Sequence, residues 1–492
     1  MTKRTLLLQA PHRAGAGRRV LRALAATTAV ALVGAGCHLL DVNNPDIVPA
    51  SNLGTVGALP TIRAGAIGDF AFAYGGSGAG GSGGTTEGQI LISGMLGDEL
   101  INTETFPDRV QADARQPDPS SGTLETVFRS LARARGSAEG AAAKFRALSP
   151  DTTKDAGLSE MLSLAGFTYI MFAEDYCSGV PMDNVSAAGT LTYGVPLTRT
   201  QILDTALDRF NQALGAANAL TIGAKASMQQ LAELGLARAN LDLGNYAAAA
   251  TAAATVTTGF NYLTLYDINT TRQNDGVFNG MRTFKRYGVA NIEGGVGLAW
   301  RTSPDPRTPI FRSPATNNGF DGITPQYDQL RYFDKKASIP LATGLEARLI
   351  GAEAAYQAGD TATMLTTLNA LRAAPPAYIL AGDPANPTNS PVPIPPGTLA
   401  PLTGPTSLPA AVTMLFNERA RWLWLTGHRL YDLRRLVRPA GPGGGYGLAA
   451  STLWPSGAYF KNGLVYGNAF VYPVPLTEQN NPNFTACLDV LP

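Results

Sequence analysis

The chain has 492 residues, of which 45% are hydrophobic and only 15% charged, with 38 Lys+Arg against 37 Asp+Glu. That balance excludes the basic footprint of a nucleic-acid binder and the self-repelling charge of an acidic disordered chain. Three Cys and three His leave little material for a metal centre, and 54 Gly with 34 Pro foretell long irregular connections beside any regular framework.

Residues 1–36 read as an export signal. Lys3, Arg4, Arg13, Arg18, Arg19 and Arg22 carry its charge with no Asp or Glu, and an apolar run from Leu21 to Val33 leads to Gly34-Ala35-Gly36-Cys37. A basic start, a short apolar run and small residues before the cut are the order of a secretory signal. About a dozen apolar residues fall short of the ~20 that a spanning helix needs. The cut site resembles a bacterial lipobox, which implies acylation of Cys37. At ~0.8 kcal/mol per buried CH₂, several acyl chains hold a soluble domain on a bilayer. By resemblance to lipoprotein sorting, His38 in place of Asp does not call for inner-membrane retention. Arg18-Arg19 resembles a twin-arginine signal, so the export route stays open. Residues 37–55 form a polar tether, and nothing after them is apolar for 18 consecutive residues, so the mature chain is expected to be anchored rather than spanning.

The remainder, 56–492, is expected to form a single domain. A helical pattern runs from Val56 to about Ala73, a flexible loop holds eight Gly between Gly75 and Gly88, and 88–104 is again helix-like. Helical periodicity then covers 123–147, 156–176, 200–219, 226–243 and 245–258. It returns at 341–358, 361–373, 409–426 and 428–437. Ala232, Gly235 and Ala239 allow close helix approach, and Gly244-Asn245-Tyr246 and Gly359-Asp360 form corners between helices. These units resemble tetratricopeptide helix pairs, which stack because one pair cannot bury its own apolar face. The expected fold class is therefore mainly α: a tetratricopeptide-like helix-pair scaffold at about 123–258 and 341–437, with few short strands. Loop-rich regions fall at about 75–120, 259–340, 374–409 (eleven Pro) and 440–480. Loops on rigid frameworks are where binding sites concentrate.

Catalytic motifs match only formally. Gly80-Gly81-Ser82-Gly83-Gly84 satisfies G-x-S-x-G, and Gly78 to Gly83 satisfies G-x-G-x-x-G, but neither follows a strand and low complexity explains both. Only His38 and His428 remain after the signal. Asp98 and Glu99 are adjacent, about 100° apart on a helix, and make poor partners for one bond; capping or solvent exposure is expected of them. No enzymatic activity, cofactor or metal is expected.

Between 411 and 437, Met414, Leu415, Trp422 and Leu425 form a buried stripe, and Trp422 and Trp424 are expected in the core. Glu418 can pair with Arg421 or Arg419, Arg429 with Asp432, and Gly427 sits at a left-handed helix end. Glu418-Arg419, Gly427-His428-Arg429 and Asp432-Leu433-Arg434-Arg435 resemble the C-terminal hallmark of the SusD/RagB family of outer-membrane nutrient-binding lipoproteins. Thr426 and Leu423-Trp424 depart from that pattern. Leu40 to Pro45, Ser338 to Arg372, and Phe470 to Pro475 with Glu478 and Asn481-Pro482 resemble other parts of the family.

The resemblance implies a surface binding protein on a tetratricopeptide-like scaffold. It would be anchored to the outer membrane through Cys37 and would face the exterior. It would pair with a SusC-type TonB-dependent transporter and deliver oligosaccharides, or in some branches peptides, without chemistry. Sugar-binding faces need flat aromatic surfaces with polar groups to satisfy hydroxyls. One candidate set is Asp98, Glu99, Asn102, Phe106 and Arg109. The other is Tyr266, Phe278, Phe284, Tyr287, Trp300, Arg301, Tyr327 and Tyr332, with core packing the competing role for each. Cys177 and Cys487 are the two thiols left after Cys37, and outside the inner membrane they are expected to form a disulfide, against two buried free cysteines. A periplasm-facing tetratricopeptide-like interaction scaffold and a lipid-anchored hydrolase are the competing classes.

Overall fold

Helices form where apolar residues recur at helical spacing behind a capping residue. In chain order they begin with α1 (Leu59–Gly75) and α2 (Gln89–Leu96), then a short strand β1 (Leu100–Asn102) and α3 (Pro107–Asp113). The long helices follow: α4 (Gly122–Leu148), α5 (Gly157–Asp175), α6 (Arg199–Ala219), α7 (Lys225–Asp242) and α8 (Tyr246–Thr255). Ser121 caps α4, and Thr198 with Gln201 forms a reciprocal capping box on α6, satisfying amides that have no partner inside the helix. The structure, a computed structural model, describes residues 53–78, 86–185, 190–312, 314, 317–441 and 444–488. The signal, the lipidation candidate Cys37, nearly all of the tether and the motif around Ser82 lie outside the described residues.

After α8 the chain leaves the helices through β2 (Asn261–Thr264). It passes β3 (Tyr287–Val289), β4 (Ile310–Arg312) and β5 (Tyr327–Gln329), and returns through β6 (Ile339–Thr343). β2 and β6 pair antiparallel, with Thr264 opposite Ile339 and Asn261 opposite Thr343. Exit and return of the excursion are thus tied at its base. Then come α9 (Gly344–Gln357), α10 (Thr361–Ala373), α11 (Leu408–Trp422) and α12 (Arg429–Val437). Thr343, Asp360 and Ser407 cap α9, α10 and α11. The other described strands also pair only in twos, among them β1 with β3 and β4 with β5.

The stack skips the excursion. α1 packs on α4, and each following helix packs on the next through α8; α8 then packs on α9, and α9 on α10. Gly244 (φ 77°) and Gly359 (φ 82°) occupy the left-handed corners expected of them. One apolar cluster runs through the helices and reaches into the excursion at Tyr287, Val289 and Trp300. The architecture is mainly helical with short two-stranded ladders.

Two helices are shorter than their periodicity. α2 stops at Leu96 because Gly97 lies against the Leu430 backbone, where a Cβ would sit 2.9 Å from the Leu430 nitrogen, and Asp98 turns at φ 61°. α11 stops at Trp422 because Leu425 (φ 54°) and Gly427 (φ 78°) reverse the chain into α12. Among the described residues no helix is long and apolar enough to cross a membrane.

Candidate functional site

The 411–437 segment forms a buried ionic seam between the helices and the excursion. Glu418 accepts Arg307 Nη1 at 2.6 Å, Arg372 Nη1 at 2.7 Å and Trp422 Nε1 at 3.1 Å. Arg419 donates twice to Asp432, both at 2.9 Å, and Arg435 donates to Asp432 at 2.6 Å while also pairing with Glu353. Burial alone would raise the Asp432 carboxyl, but the Arg419 and Arg435 guanidiniums hold it well below the usual range. Arg434 Nη1 donates to the carbonyls of Ala173 (3.1 Å) and Glu174 (2.6 Å) at the end of α5, where a cation meets the negative pole of the helix.

The sequence pairings therefore need correction. Glu418 pairs with neither Arg421 nor Arg419, since Arg421 goes to Asp305 at 3.6 Å. Arg429 pairs with Asp98 at 3.3 Å and leaves Asp432 to Arg419 and Arg435. Buried charges take partners across elements, because a desolvated ion needs complete compensation that one helix face does not supply.

The seam fastens the turn between α11 and α12 to what surrounds it. Arg331 Nη1 donates to the Trp424 carbonyl at 2.6 Å, Tyr332 Oη to the Leu425 carbonyl at 2.9 Å, and the Leu425 amide donates to Glu99 Oε1 at 3.1 Å. His428 Nε2 lies 3.1 Å from Glu346. Asp98 and Glu99 neither cap a helix nor face solvent as expected: burial raises both carboxyls, Glu99 to about 8.

Most of the sequence-chosen ligand residues are inside. Trp300 is 1% exposed, stacks on Trp424 at 6.3 Å and donates its indole N–H to the Asp98 carbonyl at 2.8 Å. Tyr266 donates to the Ala71 carbonyl at 2.9 Å, and Tyr332 is held as above. Asn102 Oδ1 accepts the Glu104 amide at 3.1 Å. An irregular segment has no helix face with which to fill volume, so its large side chains become core and their polar tips satisfy loop carbonyls.

Phe106 and Arg301 differ. Phe106 is 45% exposed and lies beside Phe320, 52% exposed, with ring centroids 6.2 Å apart and planes 31° apart. Phe106 precedes Pro107, the start of α3, and Phe320 sits in the loop joining β4 to β5. The Phe320 amide donates to the Lys285 carbonyl at 2.8 Å and the Asp321 amide to the Thr103 carbonyl at 3.0 Å, which brings the two rings together. The Arg286 guanidinium stands 5.8, 5.1 and 5.7 Å from the Phe106, Phe284 and Phe320 ring centroids, and Arg109 stands 5.6 Å from Phe106. Beneath them Glu104, pushed up to about 7 by burial, meets Arg109 at 3.2 Å and Arg286 at 3.5 Å. Phe320 carried no sequence signal, being a lone ring in an Asn/Gly stretch.

At the base of the same β4–β5 hairpin lies a cavity of about 890 Å³, walled by Trp300–Arg301, Pro304–Pro306, Thr308–Ile310, Arg312, Tyr327 and the loop from Ala381 to Val392. The Arg301 and Arg312 guanidiniums approach the Tyr327 ring centroid at 4.6 and 5.1 Å, and Arg301 also pairs with Glu293. Flat apolar faces with amide, hydroxyl and guanidinium groups suit binding. Among the described residues no group of three His, Cys, Asp or Glu could hold a metal ion. Cys177 and Cys487 are joined by a disulfide across 310 residues of sequence.

No family model matches the chain, and no curated protein is similar to it in sequence. Solved structures are similar in fold. A SusD superfamily protein from Parabacteroides distasonis matches with a TM-score of 0.58 at 14% identity, over 87% of this chain and 98% of that one. One from Bacteroides thetaiotaomicron matches with a TM-score of 0.56 at 14% identity, over 88% and 99%. A SusD-like carbohydrate binding protein from Bacteroides fragilis matches with a TM-score of 0.56 at 13% identity, over 87% and 99%.

Proposed function

We propose, from the premise of a SusD-like fold, that this chain is a cell-surface nutrient-capture lipoprotein. It binds oligosaccharides and passes them unaltered to a SusC-type TonB-dependent transporter. Lipidation at Cys37 holds it on the outer membrane, facing the exterior. The observation that carries this reading is the exposed Phe106–Phe320 pair, which exposes two apolar ring faces at the loop surface with guanidiniums beside them. The C–H faces of sugar rings stack on such surfaces, while hydroxyls take the polar groups around them. The name of the Bacteroides fragilis neighbour, a carbohydrate binding protein, supports the ligand class.

Calorimetric titration against neutral and acidic oligosaccharides and short peptides tests the reading. Binding of at least one saccharide is expected, with Phe106→Ala/Phe320→Ala losing affinity at least tenfold at unchanged melting temperature. Binding of peptides alone, or of nothing, overturns the ligand class. Co-purification with a transporter from detergent-solubilised outer membranes tests delivery, and its absence overturns that part.

A further inference from the structure

We propose that Lys461 is a positioning residue that ties three separate segments into one binding face, and that Phe460 is a third ring of that face. The assignment of Phe460 rests on the saccharide-binding reading above; that of Lys461 as a tie does not.

Lys461 lies in a C-terminal loop that an antiparallel bridge between Ala458 and Val465 closes. Its side chain is 7% exposed. The ammonium donates to the Asn102 carbonyl, to Asn102 Oδ1 and to the Glu104 carbonyl, each at 2.8 Å, and lies 3.3 Å from Asp321 Oδ2. Burying an ammonium is costly, and a residue that only filled space would be apolar. These oxygens belong to two segments far apart in sequence, and the lysine reaches both from a third.

Each segment carries an exposed phenylalanine beside its contact with the ammonium. Glu104 is two residues before Phe106, Asp321 directly follows Phe320, and Phe460 directly precedes Lys461. Phe460 is 41% exposed. Its ring lies 4.5 Å from that of Tyr459, whose hydroxyl donates to Asp113 Oδ2 at 2.6 Å. The same carboxylate oxygen accepts the Asn102 amide at 2.7 Å, so the loop is fastened to β1 at a second point. An exposed ring lies within two residues of each point where the buried cation is held, with the Phe460 ring centroid 5.5 Å from the ammonium, and rings so concentrated would form an apolar patch rather than scattered surface residues. Lys461 is too covered to serve as a contact and acts through the rings it holds.

Amide hydrogen exchange on the full chain tests the tie. Lys461→Met keeps the stem and removes the charge. Exchange is expected to rise at least tenfold in 103–106, 319–322 and 458–464 together, with α5 to α9 unchanged. A rise confined to 458–464 would overturn the tie. If Lys461→Met does not fold, Lys461→Arg is expected to loosen the same three segments by a smaller factor, and no change at 103–106 and 319–322 would overturn it equally. Titration with maltohexaose, cellohexaose and their disaccharides, added to the panel above, tests the third ring. Phe460→Ala is expected to weaken the best-bound hexasaccharide about tenfold and its disaccharide less than threefold. Equal affinity for the hexasaccharide overturns the role of Phe460. If the parent chain binds no saccharide, the functional reading falls and Phe460 with it, whereas the exchange measurement still decides Lys461.

Discussion

In the helix stack, many contacts are made by shape, although buried pairs such as Arg238 of α7 with Glu174 of α5 also cross it. Phe210 of α6 lies against Gly166 of α5 and Gly235 of α7, where a Cβ would come within 2.6 and 2.1 Å of its ring. In the excursion and the C-terminal loops, contacts are made by named polar bonds: Arg307 to Glu418, Arg331 and Tyr332 to the turn after α11, Lys461 to β1. A helix satisfies its own backbone, so its neighbours need only fit. Irregular chain must find a partner for each buried carbonyl and amide, so it recruits arginine, tyrosine and lysine one at a time. The helices hold the loops in place, and the loops carry the exposed rings.

Substitutions on either side of the seam test that contrast. Glu418→Ala leaves Arg307, itself 1% exposed, and Arg372 without their shared carboxylate; a loss of about 3–5 kcal/mol is expected in denaturant unfolding. A loss under about 1 kcal/mol would mean that the seam does not hold the loops. Gly235→Ala, in the stack, is expected to cost about 1–3 kcal/mol by pushing on Phe210, and Phe210→Leu in the same chain should recover part of it. Recovery would mark the contact as steric.

The pH dependence has a definite sign. Burial holds the Glu99 carboxyl at about 8 against an ordinary 4.5. Between those values the unfolded chain releases a proton that the folded chain keeps, so stability falls as pH rises, by up to about 1.4 kcal/mol per pH unit. Above about 8 the loss is complete. Glu99→Gln should remove this part of the slope in unfolding measurements from pH 5 to 8; an unchanged slope would mean that Glu99 is ionised in the fold. Smallest is Arg129→Ala, which breaks an exposed pair with Glu125 at 3.6 Å on α4 and should shift stability by about 0.5 kcal/mol or less.

The scaffold was largely legible. Periodicity places 199–219 and 361–373 to within a residue, and in the fold Thr198 with Gln201 and Asp360 cap their starts. Of the candidate face and cavity, the sequence pointed to Phe106, Arg109, Phe284, Trp300, Arg301 and Tyr327 but not to Arg286, Phe320, Arg312 or Phe460. Phe320 and Phe460 are ordinary residues in irregular chain, and what sets them apart is exposure, which has no sequence period. Trp300 looked like a ligand platform for the same reason and is core.

The sequence alone determined which segments are helical and most of where they turn, since those choices depend on contacts within about four residues; the end of α2 at Gly97 was set by packing on Leu430. The sequence also carried the resemblance at Glu418-Arg419, Gly427-His428-Arg429 and Asp432 to Arg435. Tertiary structure alone decided the ionic and hydrogen-bond partners. Glu418 meets Arg307 across 111 residues and Lys461 meets Asn102 across 359, and only the folded chain brings such groups within a hydrogen bond.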